Sequence, residues 1–367
     1  MYIKSLKLDS YRNYKSCELE FSDGINILFG DNAQGKTNIL EAIYLSATTK
    51  SHRGSKDKEI INFDSDESHI RSLWDKRGIE YRVDMHLRKM RSKGIALNGN
   101  ALKKASQLIG ICSVVFFSPE DLSIIKNGPS ERRRFIDMEL SQMDLSYLYN
   151  LNQYSKVVNQ RNALLKDYSL KMNGFDRNEM MDVLSVWNTQ LIDYGKKIIK
   201  RRENFINDLN NIIYDIHSEI SGNKEILKII YDPDTKYEDF EYDLEKSADR
   251  DLKYKSTNIG PHRDDIIFEV NGNDVRKFGS QGQQRTVALS LKLSEIEMLK
   301  KMKDDDPVLL LDDVLSELDS NRQKFLLDKI GNIQTIITCT GLDEFVNRRL
   351  KIDNVFNIEN GTVKHNE

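Results

Sequence analysis

Hydrophobic and polar positions divide the chain into strand-rich ends and a helical middle. Residues 17–21, CELEF, alternate apolar and acidic side chains, which predicts a strand with one buried face. Residues 25–29, INILF, are continuously apolar, which predicts a strand buried on both faces. Further buried strands are predicted at SVVFF (113–117), PVLLLDD (307–313) and TIIT (335–338). The two ends of the chain therefore indicate an α/β domain.

The middle of the chain, from Gly128 to about Asn223, has a helical period instead. Its apolar residues recur at intervals of three, four or seven, which predicts a long helix with one buried stripe. The stripe comprises Leu184, Trp187, Leu191, Ile198, Phe205, Leu209 and Ile212. Residues 171–179, KMNGFDRNE, predict a connection between antiparallel helices. The predicted organisation is an α/β domain with an N-terminal part at 1–128 and a C-terminal part at 251–367, interrupted by a helical lobe at 129–250.

Composition narrows the class of protein. The chain has 367 residues, 31% of them charged, and a net charge of −3. This balance neither favours nor excludes nucleic acid, because acids elsewhere can offset a basic face. The sequence has no apolar run of about 18 residues, so we expect no membrane partner. Cys17, Cys112 and Cys339 are far apart and odd in number, which argues against a disulfide framework or a zinc site and favours the cytoplasm.

A phosphate-binding loop is predicted at GDNAQGKT, Gly30 to Thr37, which matches GxxxxGK[ST] between a buried strand and an apolar-periodic helix. Backbone N–H groups of such a loop turn inward around phosphate oxygens, and the helix N-terminus adds partial positive charge. Lys36 is expected to reach the β- and γ-phosphates of ATP, and the Thr37 hydroxyl to take a Mg²⁺ position. The remaining loop residues, expected to line the nucleotide, are Gly30, Asp31, Asn32, Ala33, Gln34 and Gly35.

Two carboxylates follow the apolar strand PVLLLDD. In a parallel sheet the end of this strand lies beside the phosphate loop, so Asp312 is expected to hold Mg²⁺. Asp313 is expected to orient or deprotonate the attacking water. The alternative is that the paired acids only cap the next helix.

A second anion-binding loop is predicted at GSQGQQR, residues 279–285. Ser280, Gln281, Gly282 and Gln283 supply a hydroxyl, backbone amides and uncharged donors at the start of an apolar-periodic helix. Two phosphate-seeking loops with one nucleotide chemistry imply that both contact the same triphosphate. The arrangement resembles the ABC-type ATPases, in which the signature loop of one subunit closes on the nucleotide of the other. VLSELD (314–319) looks like the D-loop of that superfamily, with Asp319 near the dimer seam.

Within that superfamily the chain resembles the RecF family of bacterial recombination mediators and DNA-repair ATPases. The motifs that carry the resemblance span nearly the whole chain: GDNAQGKTNILEAIYLSA, FFSPEDLSIIKNGPSERRRFID, GPHRDD, GSQGQQRTVALSLKL and LLLDDVLSELD. The resemblance implies an ABC-type P-loop ATPase head with a mixed sheet and an inserted helical lobe. It also implies an ATP-dependent homodimer on double-stranded or gapped DNA. The implied protein partners are RecR and RecO and, indirectly, RecA and single-strand-binding protein.

Two departures from the wider ABC pattern predict a weak ATPase that acts as a switch. The usual glutamate base is an aspartate, Asp313, and TIITCT ends without the switch histidine, leaving Thr338 or Thr340 at that place. No Q-loop glutamine is evident, so Glu120 and Asp121 are candidates for that position. Competing interpretations are a transporter ATPase subunit and a chromosome-structuring SMC-type ATPase. The insert of about a hundred residues, without CxxC, is long for the first and short for the second.

Three basic clusters are candidate DNA contacts. One lies around Lys56, a second is Arg132, Arg133 and Arg134, and a third comprises Lys196, Lys197, Lys200, Arg201 and Arg202. Each suits sequence-independent contact with phosphates, but solvated helix faces carry similar runs. An arginine of ERRRF that couples the two lobes is a third interpretation. GPHRDD receives no assigned role, and His69, His86, His217 and His365 are interpreted as incidental.

Overall fold

A computed structural model describes residues 1–170, 177–341 and 351–365. It contains two compact units: a split unit formed by Met1–Asp121 with Lys292–Glu367, and a helical unit formed by Leu122–Leu291. The helical unit contains residues 129–250, predicted as the inserted lobe, and continues beyond them because a small sheet packs onto its long helix. Residues 171–176 of the predicted interhelical connection lie outside the described residues. Within the described residues, no helix is long and apolar enough to cross a membrane.

The elements are numbered in chain order. The strands are β1 Tyr2–Tyr11, β2 Tyr14–Glu20, β3 Ile25–Phe29, β4 Glu67–Lys76, β5 Ile79–Arg88, β6 Gly94–Leu97, β7 Asn100–Ala101, β8 Val114–Phe117, β9 Leu227–Asp232, β10 Asp265–Val270, β11 Asn273–Asp274, β12 Val308–Asp312, β13 Thr335–Cys339, β14 Asn354–Glu359 and β15 Thr362–His365. The helices are α1 Lys36–Thr48, α2 Asp57–Ile60, α3 Leu122–Lys126, α4 Pro129–Met143, α5 Leu145–Leu170, α6 Arg177–Ser221, α7 Phe240–Lys246, α8 Ala248–Tyr254, α9 Val275–Phe278, α10 Gln281–Lys303 and α11 Ser320–Ile330.

The split unit is built on a mixed sheet of order β15-β14-β3-β13-β12-β8, in which β15 alone among these strands runs antiparallel to its neighbour. Leu28 of β3 lies beside Thr338 of β13, and Thr338 lies beside Asp312 of β12. Because parallel strands end at the same edge, the loop after β3 and the carboxylate that ends β12 meet there, one strand apart. The predicted topological relation between the phosphate loop and Asp312 is therefore present.

A second, antiparallel sheet of order β2-β1-β4-β5-β6-β7 completes the split unit. Its strands alternate buried and exposed positions, and the buried face joins α1 and the mixed sheet in one hydrophobic core. Leu8, Trp74 and Leu87 from this sheet are fully buried together with Ile39 and Ile43 of α1. This packing fixes the direction of α1, and so the position of the loop that precedes it.

The helical unit consists chiefly of the helices α4, α5 and α6 and the antiparallel sheet β11-β10-β9. Helix α6 has 45 residues, which corresponds to a length of about 68 Å. The predicted stripe is largely confirmed, since Leu184, Leu191, Ile198, Phe205 and Leu209 are almost fully buried. Trp187 and Ile212 are only half-buried, and Ile213 is fully buried instead. A strict seven-residue repeat drifts around a helix of 3.6 residues per turn, which accounts for the shift.

A buried arginine joins the helices to the GPHRDD segment. Arg202 of α6 donates to the carboxylates of Asp137 and Asp264, each at 2.7 Å, and to the carbonyl of Pro261 at 2.6 Å. Burial opposes the positive charge, but the two carboxylates outweigh it and hold the pKa of Arg202 well above its ordinary value. Removing one member of such a buried pair leaves its partners charged and unpaired.

Replacing Arg202 tests this junction. We expect Arg202→Met to lower the free energy of unfolding by about 3–5 kcal/mol, because the carboxylates of Asp137 and Asp264 lose their cation. The control is Lys200→Met, an exposed lysine on the same helix, expected to change stability by less than about 0.5 kcal/mol. Urea denaturation followed by circular dichroism measures both. Equal effects of the two substitutions would contradict the structural role of Arg202.

Candidate functional site

The loop between β3 and α1 has the backbone of a phosphate-binding nest. Ala33 and Gly35 adopt positive φ values of 64° and 115°, which turn successive N–H groups toward one side. A Cβ atom at Gly35 would lie 2.6 Å from the Asn13 side chain, so this position requires glycine. Asn13 donates to the Gln34 carbonyl at 2.9 Å, and Tyr14 to the Gly35 carbonyl at 3.0 Å. The loop is thus held from outside by β2 and the turn before it.

Lys36, the first residue of α1, places its ammonium group inside this loop. Its Nζ donates to the Gly30 carbonyl at 2.5 Å and to the Asp31 carbonyl at 3.0 Å, and the residue is only 4% exposed. These partners are neutral, so the loop holds a nearly buried positive charge that an anion can neutralise. The side chain of Gln34 accepts from the Asn360 N–H at 2.6 Å, which gives Gln34 a structural contact.

The carboxylate of Asp312 is joined to this loop by a hydroxyl group. Asp312 Oδ1 accepts hydrogen bonds from Thr37 Oγ1 at 2.8 Å and from Thr338 Oγ1 at 2.9 Å. Burial raises the pKa of Asp312, and the two hydroxyl donors partly offset that rise. A hydroxyl and a carboxylate side by side are hard oxygen ligands of the kind that Mg²⁺ prefers. The donor set therefore fits the predicted metal position.

Asp313 lies next to this carboxylate in a left-handed backbone conformation. Its φ is 51°, which aspartate adopts more often than most residues other than glycine, and its N–H donates to Thr338 Oγ1 at 2.9 Å. Thr338, one of the two threonines that the sequence leaves at the place of the switch histidine, therefore contacts both acids at the end of β12. The helix-capping alternative applies instead to Asp319, whose carboxylate accepts from the N–H groups of Asn321 and Arg322 at the start of α11.

The second predicted loop, in the helical unit, begins α10 with a capping box. The Ser280 hydroxyl accepts from the Gln283 N–H at 3.2 Å, and the Gln283 side chain accepts from the Ser280 N–H at 2.9 Å. Ser280, Gln281 and Gly282 are exposed. A Cβ atom at Gly282 would meet the Ser280 hydroxyl at 3.9 Å, an ordinary contact. The described fold therefore leaves room for a larger side chain at Gly282. Glycine also lowers helix stability by about 1 kcal/mol relative to alanine, so local structure does not explain glycine at this position.

Two residues that sequence patterns did not single out for function support this loop. Gln283 Nε2 donates to Glu225 Oε1 at 2.9 Å, and the other oxygen of Glu225 lies 3.2 Å from His217 Nε2. The second nitrogen of His217, which is fully buried in α6, lies 3.0 Å from the Ser290 hydroxyl of α10. His217 was interpreted as incidental, but it links α6 to the helix that follows the loop. Its partners are 8 and 73 residues away, so no short motif signals the contact.

The basic clusters differ in their exposure. Arg132 is 2% exposed and binds both carboxylate oxygens of Asp265, at 2.6 and 2.9 Å, so its selection as a DNA contact is wrong. Arg202 is buried likewise. Arg133 donates to the Asp264 carbonyl at 2.7 Å and remains half-buried. A run of arginines on a helix does not reveal which side chain faces inward.

The remaining candidate cations are at least partly accessible. Lys56 and Arg134 are exposed, as are Lys197 and Lys200, which pair with Asp193 and Glu203 of their own helix. Arg201 is half-buried and donates to the Asp144 carboxylate at 2.9 Å. Exposed pairs of this kind are weak, so DNA phosphates can compete for these lysines.

Residues of the GPHRDD and SPEDL segments make local hydrogen bonds. His262 lies 2.8 Å from the Tyr154 hydroxyl and 3.0 Å from the Thr257 carbonyl, and burial lowers its pKa. Asp121 accepts from the Ser118 N–H at 2.7 Å, and burial raises its pKa to about 6 despite the attraction of Lys292. Glu120 is exposed. Among the described residues, neither Glu120 nor Asp121 forms a side-chain hydrogen bond or ion pair with the phosphate loop.

Comparison with known proteins agrees with this architecture. The sequence profile described as RecF/RecN/SMC N terminal domain matches residues 2–364. The DNA replication and repair protein RecF of Lachnospira eligens is 58% identical over 363 residues, covering 99% of each chain. The protein of the same name from Clostridium acetobutylicum is 44% identical over 369 residues, again covering 99% of each.

Solved structures show the same fold. The recombination mediator protein RecF with ATP, of the RecFOR pathway, is 40% identical with a TM-score of 0.92, covering 100% of this chain and 98% of the other. An SMC head domain from Pyrococcus furiosus is similar in fold alone, at 17% identity and a TM-score of 0.56, covering 99% and 95%. The expectation of an ABC-type P-loop ATPase head with an inserted helical lobe is confirmed. On the sequence profile and these relatives, the chain belongs to the RecF family.

Proposed function

We propose that this protein is an ATP-dependent DNA-binding switch of recombinational repair and replication restart. The single observation that carries the proposal is the meeting of Lys36, Thr37 and Asp312 at one edge of the mixed sheet. ATP closes a homodimer on double-stranded or gapped DNA, and slow hydrolysis releases it. Relatives named as DNA replication and repair proteins, and a relative solved with ATP, support this assignment.

ATP occupies the loop Gly30–Thr37 in this proposal. The backbone N–H groups of Asp31 to Gly35 surround the phosphates, and Lys36 exchanges its carbonyl partners for the β- and γ-phosphate oxygens. Thr37 and Asp312 hold Mg²⁺, which when bound offsets the phosphate charge. Asp313 orients the attacking water. Its carboxylate is shorter than the glutamate usual in ABC-type ATPases, and Thr338 takes the place of the switch histidine, so we expect slow hydrolysis.

The second loop acts on the ATP of a second copy of the chain. Ser280 is exposed, and glycine at position 282 keeps the helix surface beside it clear of a side chain. The described fold would accommodate a Cβ atom there, so packing does not require the glycine. Both features suit the close approach of a phosphate group to the N-terminus of α10. In this arrangement Asp319 lies near the dimer seam, and the Ser280 hydroxyl gives up its cap contact for a γ-phosphate oxygen.

Glu225 is a positioning residue for this loop. Its carboxylate accepts a hydrogen bond from the amide nitrogen of Gln283, and the amide oxygen of the same side chain accepts from the Ser280 N–H. Glu225 also contacts His217 on α6, the helix that carries the exposed lysines Lys197 and Lys200. We propose that DNA bound at these lysines acts on the loop through α6, His217 and Glu225.

The cations that contact DNA phosphates in this proposal are Lys56, Arg134, Lys197, Lys200 and Arg201. Arg133 is half-buried and contributes less. These residues bind without reading sequence. We propose that the protein works in the cytoplasm with RecR and RecO to help load RecA on gaps covered by single-strand-binding protein. The RecFOR pathway named for the solved relatives supports these partners.

Loss of the loop ammonium should weaken ATP binding. We expect Lys36→Met to lower the affinity for ATP by about 10- to 100-fold, since a hydrogen bond to a charged group contributes about 1.5–3 kcal/mol. Lys58→Met, at an exposed lysine of α2, is the control and should leave affinity unchanged. Fluorescence titration with a labelled ATP measures both variants. An unaltered affinity in Lys36→Met would refute the assignment of this loop.

Blocking the second loop should prevent dimerisation without affecting ATP binding to a single chain. We expect Ser280→Arg to remain monomeric with ATP and Mg²⁺, because the larger side chain fills the space of the partner's γ-phosphate. Its affinity for ATP should equal that of the wild type. Ser146→Arg adds the same charge at an exposed position of the helical unit and should dimerise normally. Light scattering measures the mass, and a wild type that stays monomeric under all nucleotide and DNA conditions contradicts the proposal.

Removing the carboxylate that supports the loop should weaken the dimer selectively. We expect Glu225→Ala to weaken ATP-dependent dimerisation by about tenfold, the effect of about 1.4 kcal/mol lost from one hydrogen bond. It should also reduce the effect of DNA on dimerisation while leaving the ATP affinity of the monomer unchanged. Asp215→Ala, an exposed acid on α6, is the control. If DNA strengthens the Glu225→Ala dimer as much as the wild-type dimer, the positioning role is wrong.

A further inference from the structure

A row of polar side chains crosses the antiparallel sheet of the split unit. Asp9 of β1 faces His69 of β4, and His69 faces His86 of β5. Directly opposed residues on neighbouring strands project from the same face of a sheet. Glu67 is two residues before His69 on β4, so it shares that face. Gly94 of β6, opposite His86, continues the row without a side chain.

The side chains of this row are close enough to share one ion. The imidazole rings of His69 and His86 are stacked face to face, with centroids 4.1 Å apart and planes inclined by 21°, so one ring must turn for both to bind the same ion. His86 Nε2 lies 2.7 Å from Glu67 Oε2. One ligand atom from each of Glu67, His69 and His86 falls within 4.8 Å of the other two. Two nitrogens bound to one zinc ion at about 2.0–2.1 Å are at most about 4.2 Å apart, so side-chain rotation must bring the ligand atoms of this group within that limit.

The surroundings leave room for that adjustment. Glu67 and His69 are exposed and His86 is half-buried, so all three side chains can rotate. A hollow of about 390 Å³ opens at this place, and Asp9, Arg71, His69, His86 and Gly94 are among the residues that line it. The hollow is also lined by the cations Lys7, Arg71 and Arg88. Arg71 donates to Asp84 at 2.6 Å and Lys7 to Glu18 at 3.2 Å, which reduces their repulsion of an incoming ion, and Arg88 lies opposite Glu67.

We propose that Glu67, His69 and His86 form a binding site for a divalent transition-metal ion, Zn²⁺ above all. Two imidazoles and a carboxylate are ligands that Zn²⁺ takes readily, and three protein ligands leave a coordination position for water or another donor. Imidazole nitrogen is a poor ligand for Mg²⁺, so the ion that accompanies ATP does not compete. The site is separate from the residues assigned to ATP and DNA, and it does not depend on the proposed function.

Calorimetric titration of the full-length protein with ZnCl₂, after removal of metals with a chelator, tests the site. We expect one Zn²⁺ to bind per chain at this site. His69→Ala and His86→Ala should each weaken the binding by at least about tenfold, because even partners outside the ligand set change metal affinity by about 10- to 100-fold. Glu67→Gln should weaken it as well. Glu20→Gln alters an exposed acid of β2 on the same sheet and should bind Zn²⁺ as the wild type does.

Thermal unfolding detects the bound ion independently of the heat of binding that calorimetry measures. Zn²⁺ should raise the Tm of the wild type and of Glu20→Gln, and leave the Tm of the double variant His69→Ala/His86→Ala unchanged, since only folded protein with a site is stabilised. Unfolding in chelator establishes that each variant is folded. The proposal is wrong if the wild type binds no Zn²⁺. It is equally wrong if the folded double variant binds Zn²⁺ with wild-type affinity, or if Mg²⁺ displaces the ion at equal concentration.

Discussion

The hydrogen bond between Thr37 and Asp312 joins two parts of the chain that are 275 residues apart, and the candidate ATP site depends on it. It forms because β3, β13 and β12 are parallel and in register, so that a loop and a carboxylate reach the same sheet edge. Thr338, on the strand between them, contacts the same carboxylate oxygen and also the backbone of Asp313. Thr37 at the start of α1 and Asp312 and Thr338 at the ends of two strands thus bring a pair of hard oxygen ligands beside a nearly buried lysine. The helical unit, residues 122–291, lies between β8 and β12 in the sequence and contributes no strand to this sheet.

Several functional candidates also have a local structural role. Ser280 and Gln283 cap α10, and Asp319 caps α11, so each is needed to begin a helix before any ligand arrives. Helix N-termini that are capped by short polar side chains also attract anions. In our proposal the γ-phosphate replaces an internal cap at Ser280. The cost of breaking the cap is small, about 1 kcal/mol, so the exchange requires only a modest contribution from the phosphate.

The sequence predicted the parts of the site that local pattern determines, and missed those that depend on distant contacts. Lys36 and Thr37 could be identified because strand, loop and helix follow each other directly. Asp312 could be placed because it ends an apolar strand. By contrast, Glu225 supports Gln283 from 58 residues away, and no spacing marks that pair. Arg132 and Arg134 belong to the same run of arginines, yet only packing against Asp265 shows that the first is buried. The facing positions of His69 and His86 depend on the register of β4 and β5, which hydrophobic alternation alone does not fix.

In our proposal, one ATP is held by the phosphate loop of one chain and the Ser280 loop of another. Mixing two inactive variants tests it directly. Lys36→Met lacks a working phosphate loop and Ser280→Arg lacks a working second loop, but a mixed dimer contains one intact site. At an ATP concentration that occupies the wild-type loop but not the weakened loop of Lys36→Met, we expect an equimolar mixture to form ATP-dependent dimers and hydrolyse ATP, although neither variant does so alone. A mixture that behaves as the sum of two inactive proteins would contradict a site shared between two chains.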